Sequence, residues 1–309
     1  MGSVVHHARH GLICHEEQDE TIGASLRIYG EWAEEEIYFL SAFIDPGSVI
    51  LDIGANVGTH ALAFSRLTGT RGLVIAIDAQ ERMHNLLVLN VALNAAGNIR
   101  CIRAIAGRKT GVCFVPPENH QSRKDFGSVS YVDSSAKSNR GRGLIPISMI
   151  TLDDLSLERC NLIKIDVEGM ELDVLLGAAE TIACHRPPIY FEQAREEYFA
   201  ETFEFFQRAD YSLFWHVSDP FNRNNFRRHS KNIFGGTREI NVVAIPCEKA
   251  ERWRLQTAPL PSIIGPRYDP PRRQGSLSGW SLPEAAYAHL APVGVSPLAK
   301  LVAETISVI

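Results

Sequence analysis

The stretch Val49-Ile50-Leu51-Asp52-Ile53-Gly54-Ala55-Asn56-Val57-Gly58-Thr59-His60 constrains this chain more than any other. Ser48 to Ile53 is apolar and β-branched enough to predict a buried strand, Gly54 and Gly58 predict a tight turn, and Thr59 to Leu67 has helical spacing. A strand running into a glycine turn and a helix opens a βαβ unit. The alternation continues with Gly72 to Ile77 as a strand, Glu81 to Ala96 as a helix and Asn98 to Ala104 as a strand. Order weakens between Gly107 and Gly143: Val112 to Val115 reads as a strand, whereas Glu118 to Lys124 and Ser134 to Gly143 read as loops. Beyond it, Leu144 to Ile150, Leu162 to Ile165 and Ile189 to Phe191 read as strands, and Glu171 to Thr181 and Glu196 to Arg208 as helices. Tyr211 to Val217 and Ile240 to Ile245 make a closing pair of strands. Strands alternating with helices imply an α/β fold with a parallel sheet covered on both faces.

Three regions follow. Residues 1 to 45 form an N-terminal helical or lid segment, in which Trp32, Ile37, Phe39, Leu40 and Phe43 line one face of a helix over Glu31 to Phe43, stopped by Asp45-Pro46-Gly47. Residues 46 to 247 are the alternating domain, and 248 to 309 are a proline-punctuated extension. With 45% hydrophobic and 22% charged residues the composition excludes a disordered or collagen-like chain, and a net charge of -5 supplies no general field for nucleic acid. The six cysteines form no CxxC pair, which argues against a zinc cluster or a redox pair and for reduced thiols. No run approaches the ~18 apolar residues of a membrane span. The expectation is a soluble cytoplasmic protein with neither a membrane nor a nucleic-acid partner and with no metal required.

In the first loop, Gly54 and Gly58 remove the Cβ atoms that would keep a ligand from the backbone, and the helix behind them offers unpaired N–H groups. Asp78 ends the next strand, where a carboxylate can accept two hydrogen bonds from a ribose diol. A dinucleotide site would show G-x-G-x-x-G. Here Asn56 replaces the second glycine, the third is missing, and Asp52 precedes the turn. That carboxylate repels a pyrophosphate but suits the ammonium group of a methionine moiety, so the chemistry favours S-adenosylmethionine over NAD. An NAD-linked oxidoreductase and a non-catalytic nucleoside-binding protein of the same fold stay open as rival readings.

Several blocks together resemble the FkbM family of class I methyltransferases. They are Gly30-Glu31-Trp32 with Glu36, Ile165-Asp166-Val167-Glu168-Gly169 with Glu171, Leu175-Leu176-Gly177-Ala178, Asp219-Pro220-Phe221-Asn222 with Asn225-Phe226, Asn232 and Phe234, and Asn241 to Pro246. The likeness covers about residues 25 to 247, and Ile77-Asp78-Ala79 departs from it where the family usually has Phe-Glu-Pro. The resemblance implies a Rossmann-like, mostly parallel sheet of seven strands with one antiparallel member. It also implies S-adenosylmethionine as cofactor and methyl transfer to an oxygen of a small-molecule acceptor, a sugar or natural product.

Methyl transfer to an alcohol needs alignment and a base for the hydroxyl proton. Asp166 and Glu168 follow a strand and so reach the ligand edge of the sheet; each either serves the reaction or holds the cofactor's amino group or the next helix. His216 closes a late strand and has an ordinary pKa near ~6.5, suited to base catalysis. The catalytic candidates are therefore Asp166, Glu168 and His216, and the cofactor candidates Asp52, Gly54, Asn56, Gly58 and Asp78. His60 reads as a packing or substrate-edge residue. Lys164, inside a strand, must carry its charge out of the core or find a partner such as Asp166 or Glu192. Candidate acceptor contacts are Glu31, Trp32, Glu192, Asn225 and Arg227; the last two lie in a basic aromatic loop, Phe221 to Lys231, that reads either as a stacking site for an anionic acceptor or as solvated surface.

Overall fold

A computed structural model describes residues 2–115, 145–192 and 199–250. The chain opens with an antiparallel hairpin, β1 (Ser3–Ala8) and β2 (Gly11–Glu16), then α1 (Ile22–Ile28) and α2 (Glu34–Ser41). There follow β3 (Val49–Ile53), α3 (Thr59–Thr68), β4 (Leu73–Asp78), α4 (Glu81–Leu93) and β5 (Ile99–Arg103). Short strands β6 (Ile105–Ala106), β7 (Gly111–Val115) and β8 (Ile145–Ile150) form a separate sheet in the order β6-β8-β7. The main sheet resumes with β9 (Leu162–Ile165), α5 (Glu171–Leu176), α6 (Ala179–His185), β10 (Ile189–Glu192), α7 (Phe199–Arg208), β11 (Tyr211–Ser218) and β12 (Glu239–Pro246).

The main sheet has seven strands in the order β11-β12-β10-β9-β3-β4-β5. Neighbours from β10 to β5 pair parallel, and β12 runs antiparallel between β10 and β11, which is the expected arrangement. The chain leaves β3 toward β4 and β5, then returns to place β9 on the other side of β3. Strand order thus reverses between β3 and β9, and a crevice opens there at the carboxyl ends of the strands, where open α/β sheets gather ligands.

Alternate residues feed two cores. Ile50, Val74, Leu162, Tyr190 and Val243 face α2, α3 and α4 through Leu40, Phe64 and Leu87. Leu51, Ile75, Ile163, Phe191 and Val242 face α5, α6 and α7 through Leu175, Ile182 and Phe206. Burial on both faces explains why these strands read as nearly unbroken apolar runs. No helix among the described residues is long and apolar enough to cross a membrane.

Three features differ from expectation. The helical or lid segment expected over residues 1 to 45 opens instead with a hairpin, whose alternation carries His, Ser and Glu, and a helix edge holds it. Asn90 of α4 accepts from Cys14 N (2.6 Å) and donates to Cys14 O (2.9 Å), and Asn94 does the same for Leu12 (2.9 and 2.7 Å), so two amides stand in for a third strand. Next, α2 begins at Glu34 because Ala33 lies in the left-handed region (φ 50°), which leaves Glu31 and Trp32 outside it. The single helix expected over Glu171 to Thr181 breaks into α5 and α6 at Gly177, where a Cβ would meet Gly107 O at 2.0 Å. The helix expected over Glu196 to Arg208 is α7 from Phe199 onward, and its expected first turn lies outside the described residues. The loops expected at 118–124 and 134–143, and the extension after residue 250, lie outside the described residues.

Candidate active site

Gly54, Asp78, Gln80, Ala106, Asp166 and Glu168 line a groove at the carboxyl ends of β3, β4, β6 and β9. The glycines that shape it answer to protein packing rather than to ligand approach alone. Gly54 has φ 77°, and a Cβ there would sit 1.8 Å from Asp166 O. Gly58 has φ 90°, and its Cβ would sit 2.6 Å from Leu87 Cδ1 of α4. Asn56, between them, adopts φ 49°, donates its N–H to Asp78 Oδ2 (2.8 Å) and accepts the Val57 N–H on its own side-chain oxygen (2.7 Å). Asn90 adds a bond from its amide to Val57 O (2.8 Å), so the hairpin and the loop share one clamp.

Asp78 therefore closes the loop. Its Oδ1 accepts Gln80 N (2.8 Å), and each carboxylate oxygen keeps a further lone pair for a donor in the groove it lines. Burial pushes its carboxyl up to about 7, against the two N–H groups that favour ionisation and with Asp52 and Asp166 adding to the rise. Two diol hydroxyls would replace the water that burial removed. The residues present thus fit a nucleoside.

A second polar row lies behind the groove on the α2 face of the sheet. Asp52 is fully buried, and neither carboxylate oxygen has a hydrogen-bond donor. Lys164 Nζ lies 3.8 Å from Asp52 Oδ1 and donates to Asp166 Oδ2 at 3.2 Å. Glu36 of α2 accepts Ser218 Oγ and Asn241 Nδ2, both at 2.9 Å, and its other oxygen lies 3.4 Å from His60 Nε2. Burial would raise the Glu36 carboxyl, but His60, Lys164 and His216 outweigh it and bring it down to about 2. An ionised Glu36 thus pins α2 to the ends of β11 and β12.

At the outer side of β9, Asp166 keeps 45% of its side chain exposed. Glu168 follows in the left-handed region (φ 51°), and Gly169 N donates to Glu171 Oε1 at 2.9 Å. Glu192, at the end of β10, is held protonated by burial first and then by the charges of Asp166, Glu168 and Glu239. A neutral Glu192 beside Asp166 makes a carboxyl–carboxylate pair at the mouth of the groove.

Residues 52–213 match the methyltransferase FkbM domain. The chain belongs to the FkbM methyltransferase family. The matched span opens at Asp52 and runs through Leu213 in β11, so the FkbM domain takes in the loop, the groove and the Asp166–Glu192 pair. Among solved structures, an FkbM methyltransferase from Methylobacillus flagellatus KT is 19% identical with a TM-score of 0.46; the alignment covers 72% of this chain and 51% of that one, so the chain spans about half its length. A precorrin-6y C5,15-methyltransferase from Geobacter metallireducens GS-15 is 13% identical (TM-score 0.42; 69% and 89% covered). A SAM-dependent O-methyltransferase from Thermotoga maritima is 12% identical (TM-score 0.38; 69% and 65% covered). No curated protein matches the chain.

Within this FkbM chain the sequence-derived candidates separate into two groups. Gly54, Asp78, Asp166 and Glu168 meet in the groove, with Asn56 and Glu192 at its margins and Asp52 behind it. His216 is elsewhere: it is 2% exposed, stacks on Phe39 at 4.2 Å between ring centroids, and is hydrogen-bonded through Nδ1 to Tyr190 Oη at 2.8 Å. Burial lowers it to about 4, so at neutral pH it is an uncharged part of the α2–sheet contact.

Glu31, Asn225 and Arg227 join the N-terminal segment to the loop after β11. Glu31 is 5% exposed and accepts Arg9 Nε (2.8 Å), Phe226 N (2.6 Å) and Asn222 Nδ2 (2.9 Å). Asn225 staples the loop to itself through Asn222 O and His229, and Arg227 donates to His7 O at 3.2 Å. The loop aromatics are spent in the same way, Phe221 on Tyr29, Phe226 on His7 and Trp32 on Phe234. The residues missed by sequence were Glu36, Tyr190, Ser218 and Asn241. Their signal was faint: Tyr190, Ser218 and Asn241 are polar side chains within strands that fall on one face only once the register is known, and Glu36 reaches Ser218 and Asn241 from α2.

Proposed function

We propose that this FkbM methyltransferase uses S-adenosylmethionine to methylate a hydroxyl oxygen of a small acceptor, a sugar or natural product. The observation that carries the cofactor assignment is Asp52: fully buried at the start of the glycine loop, with two acceptor oxygens and no donor on either. Lys164 supplies a positive charge at 3.8 Å but no hydrogen bond, and a buried carboxylate without donors is costly; the ammonium of a methionine moiety would bring both charge and donors. Asp78 supplies the lone pairs for the ribose hydroxyls, and the turn through Gly54 and Asn56 carries the groove between them.

When bound, S-adenosylmethionine supplies an electrophilic methyl group on a sulfonium, open to in-line displacement. The chain's own contribution is to receive the acceptor's proton. Asp166 is the exposed carboxylate at that edge, and Glu192, kept protonated, can donate to Asp166 and aim its free lone pairs outward. The surplus of acid around Asp166, Glu168 and Glu192 favours a neutral or cationic acceptor over a polyanion, which weighs against nucleic acid as partner. Free cysteines at all six positions fit a reducing, cytoplasmic setting. Calorimetry with S-adenosylmethionine, followed by mass spectrometry of host metabolites for a gain of one methyl group, tests the reading. Failure of both S-adenosylmethionine and S-adenosylhomocysteine to bind at millimolar concentration would overturn it.

A further inference from the structure

The Lys164 side chain is only 4% exposed and projects from the middle strand of the sheet, where parallel strands otherwise carry apolar residues. As a stabilising device it is poorly chosen. A buried ion pair contributes little net stability compared with a well-packed apolar residue, because desolvation offsets the attraction. Its geometry is also unlike a closed pair: the ammonium bonds Asp166 Oδ2 at 3.2 Å, stands 3.8 Å from Asp52 Oδ1, and leaves both Asp52 oxygens without a donor. One cation therefore serves two carboxylates at the ends of adjacent strands, Asp52 buried behind the groove and Asp166 exposed within it.

We propose that Lys164 is a positioning residue, whose ammonium holds Asp52 ionised but unsatisfied for the cofactor's amino group and fixes the rotamer of Asp166 at the acceptor edge. This rests on the S-adenosylmethionine reading above. The groups that face Asp52 are Lys164 and His60, which favour its ionised form, and Asp166, which opposes it; Asp78 lies within its field. Burial raises the Asp52 carboxyl, and Lys164 is the largest influence acting against that rise. Without the ammonium, the Asp52 carboxyl is pushed up further and, once protonated, no longer offers two open acceptors. Lys164 itself stays charged, since Asp166, Asp52 and Glu36 together outweigh its desolvation.

The test combines two readouts on the full chain: the carboxyl carbon shift of Asp52 against pH in the cofactor-free protein, and calorimetric affinity for S-adenosylmethionine. Lys164→Met should move the Asp52 midpoint upward by at least one pH unit and weaken S-adenosylmethionine about 10- to 100-fold at pH 7, the size of one lost charge-assisted hydrogen bond. Lys164→Arg, which keeps the charge, should restore the midpoint and part of the affinity. A Lys164→Met protein with wild-type affinity and an unmoved Asp52 midpoint overturns the proposal. If Lys164→Met does not fold, the wild type decides: S-adenosylmethionine must shift the Lys164 Nζ resonance, and binding without such a shift overturns it. Wild-type protein that fails to bind S-adenosylmethionine defeats the functional reading instead, while the Asp52 titration still reports on Lys164.

Discussion

Replacing Asp78 by Asn isolates the carboxylate that both closes the cofactor loop and lines the groove. In the wild type Oδ2 accepts Asn56 N and Oδ1 accepts Gln80 N, each at 2.8 Å. An amide of the same shape offers one oxygen, so one N–H keeps its partner and the other faces an NH2 group. The lost bond costs about 1 kcal/mol, and the orphaned N–H about 1–3 kcal/mol more. Part of this is recovered above pH 7, because the amide never has to ionise in a site that pushes the carboxyl up to about 7. For the ligand, one charge-assisted acceptor is lost, about 1.5–3 kcal/mol or roughly 10- to 100-fold in affinity. Calorimetry from pH 5.5 to 8.5 gives a sharper signature than the affinity alone. Ribose hydroxyls bind the ionised form, so wild-type affinity for S-adenosylmethionine should rise about tenfold per pH unit below 7 and level off above it. The Asp78→Asn profile should lack that limb. An Asp78→Asn protein that binds within twofold of wild type at pH 8 and keeps the same pH limb would refute the role given to this carboxylate.

Three further outcomes follow from the geometry. Gly54→Ala places a Cβ 1.8 Å from Asp166 O at φ 77°, and should cost about 3 kcal/mol or more of stability in urea unfolding; full wild-type stability would mean that the β3 turn and β9 do not meet as described. His216→Ala removes the ring stacked on Phe39 and the partner of Tyr190 Oη, so it should destabilise by about 2–4 kcal/mol and leave turnover per folded molecule nearly unchanged; a large loss of turnover at wild-type stability would restore His216 to the chemistry. The cofactor-free protein should lose stability as pH rises from 4.5 toward 8, because Asp78 and Glu35, both raised to about 7, hold protons in the folded state that the unfolded chain has released. Each contributes up to ~1.4 kcal/mol per pH unit over that window. Glu36, lowered to about 2, acts in the opposite sense: its contribution is present above about 4.5 and is lost as pH falls through that range toward 2. Urea midpoints that are flat from pH 5 to 8 would contradict the burial assigned to these carboxyls.

What was legible in the sequence was what strands and loops declare locally. The unbroken apolar runs of β3, β4, β9 and β10, each ending in a turn, announced a doubly covered parallel sheet. The glycine loop and the Ile165 to Gly169 block marked the carboxyl ends of β3 and β9, and both line the groove there. The hairpin was hidden because its partner is not a strand but Asn90 and Asn94, some 80 positions away. The placement of His216 under α2 was not legible, because a strand-end histidine is indistinguishable in sequence from one stacked under a helix, and Phe39 comes from the far end of the chain. The intramolecular bonds of Glu31 and Arg227 were hidden for a related reason. A conspicuous polar or aromatic side chain serves packing as readily as binding, and only the long-range pairing of Glu31 with Phe226 N separates the two.

The most direct measurement of the central claim is the fate of a labelled methyl group. The protein is incubated with S-adenosylmethionine carrying a deuterated methyl group and the small-molecule fraction of its host, and products are resolved by mass spectrometry and NMR. The expected product is a labelled methyl ether on a neutral or cationic small molecule, formed together with S-adenosylhomocysteine and abolished by Asp166→Asn. Bound cofactor with no label transferred, or label found on nitrogen or carbon, would contradict it.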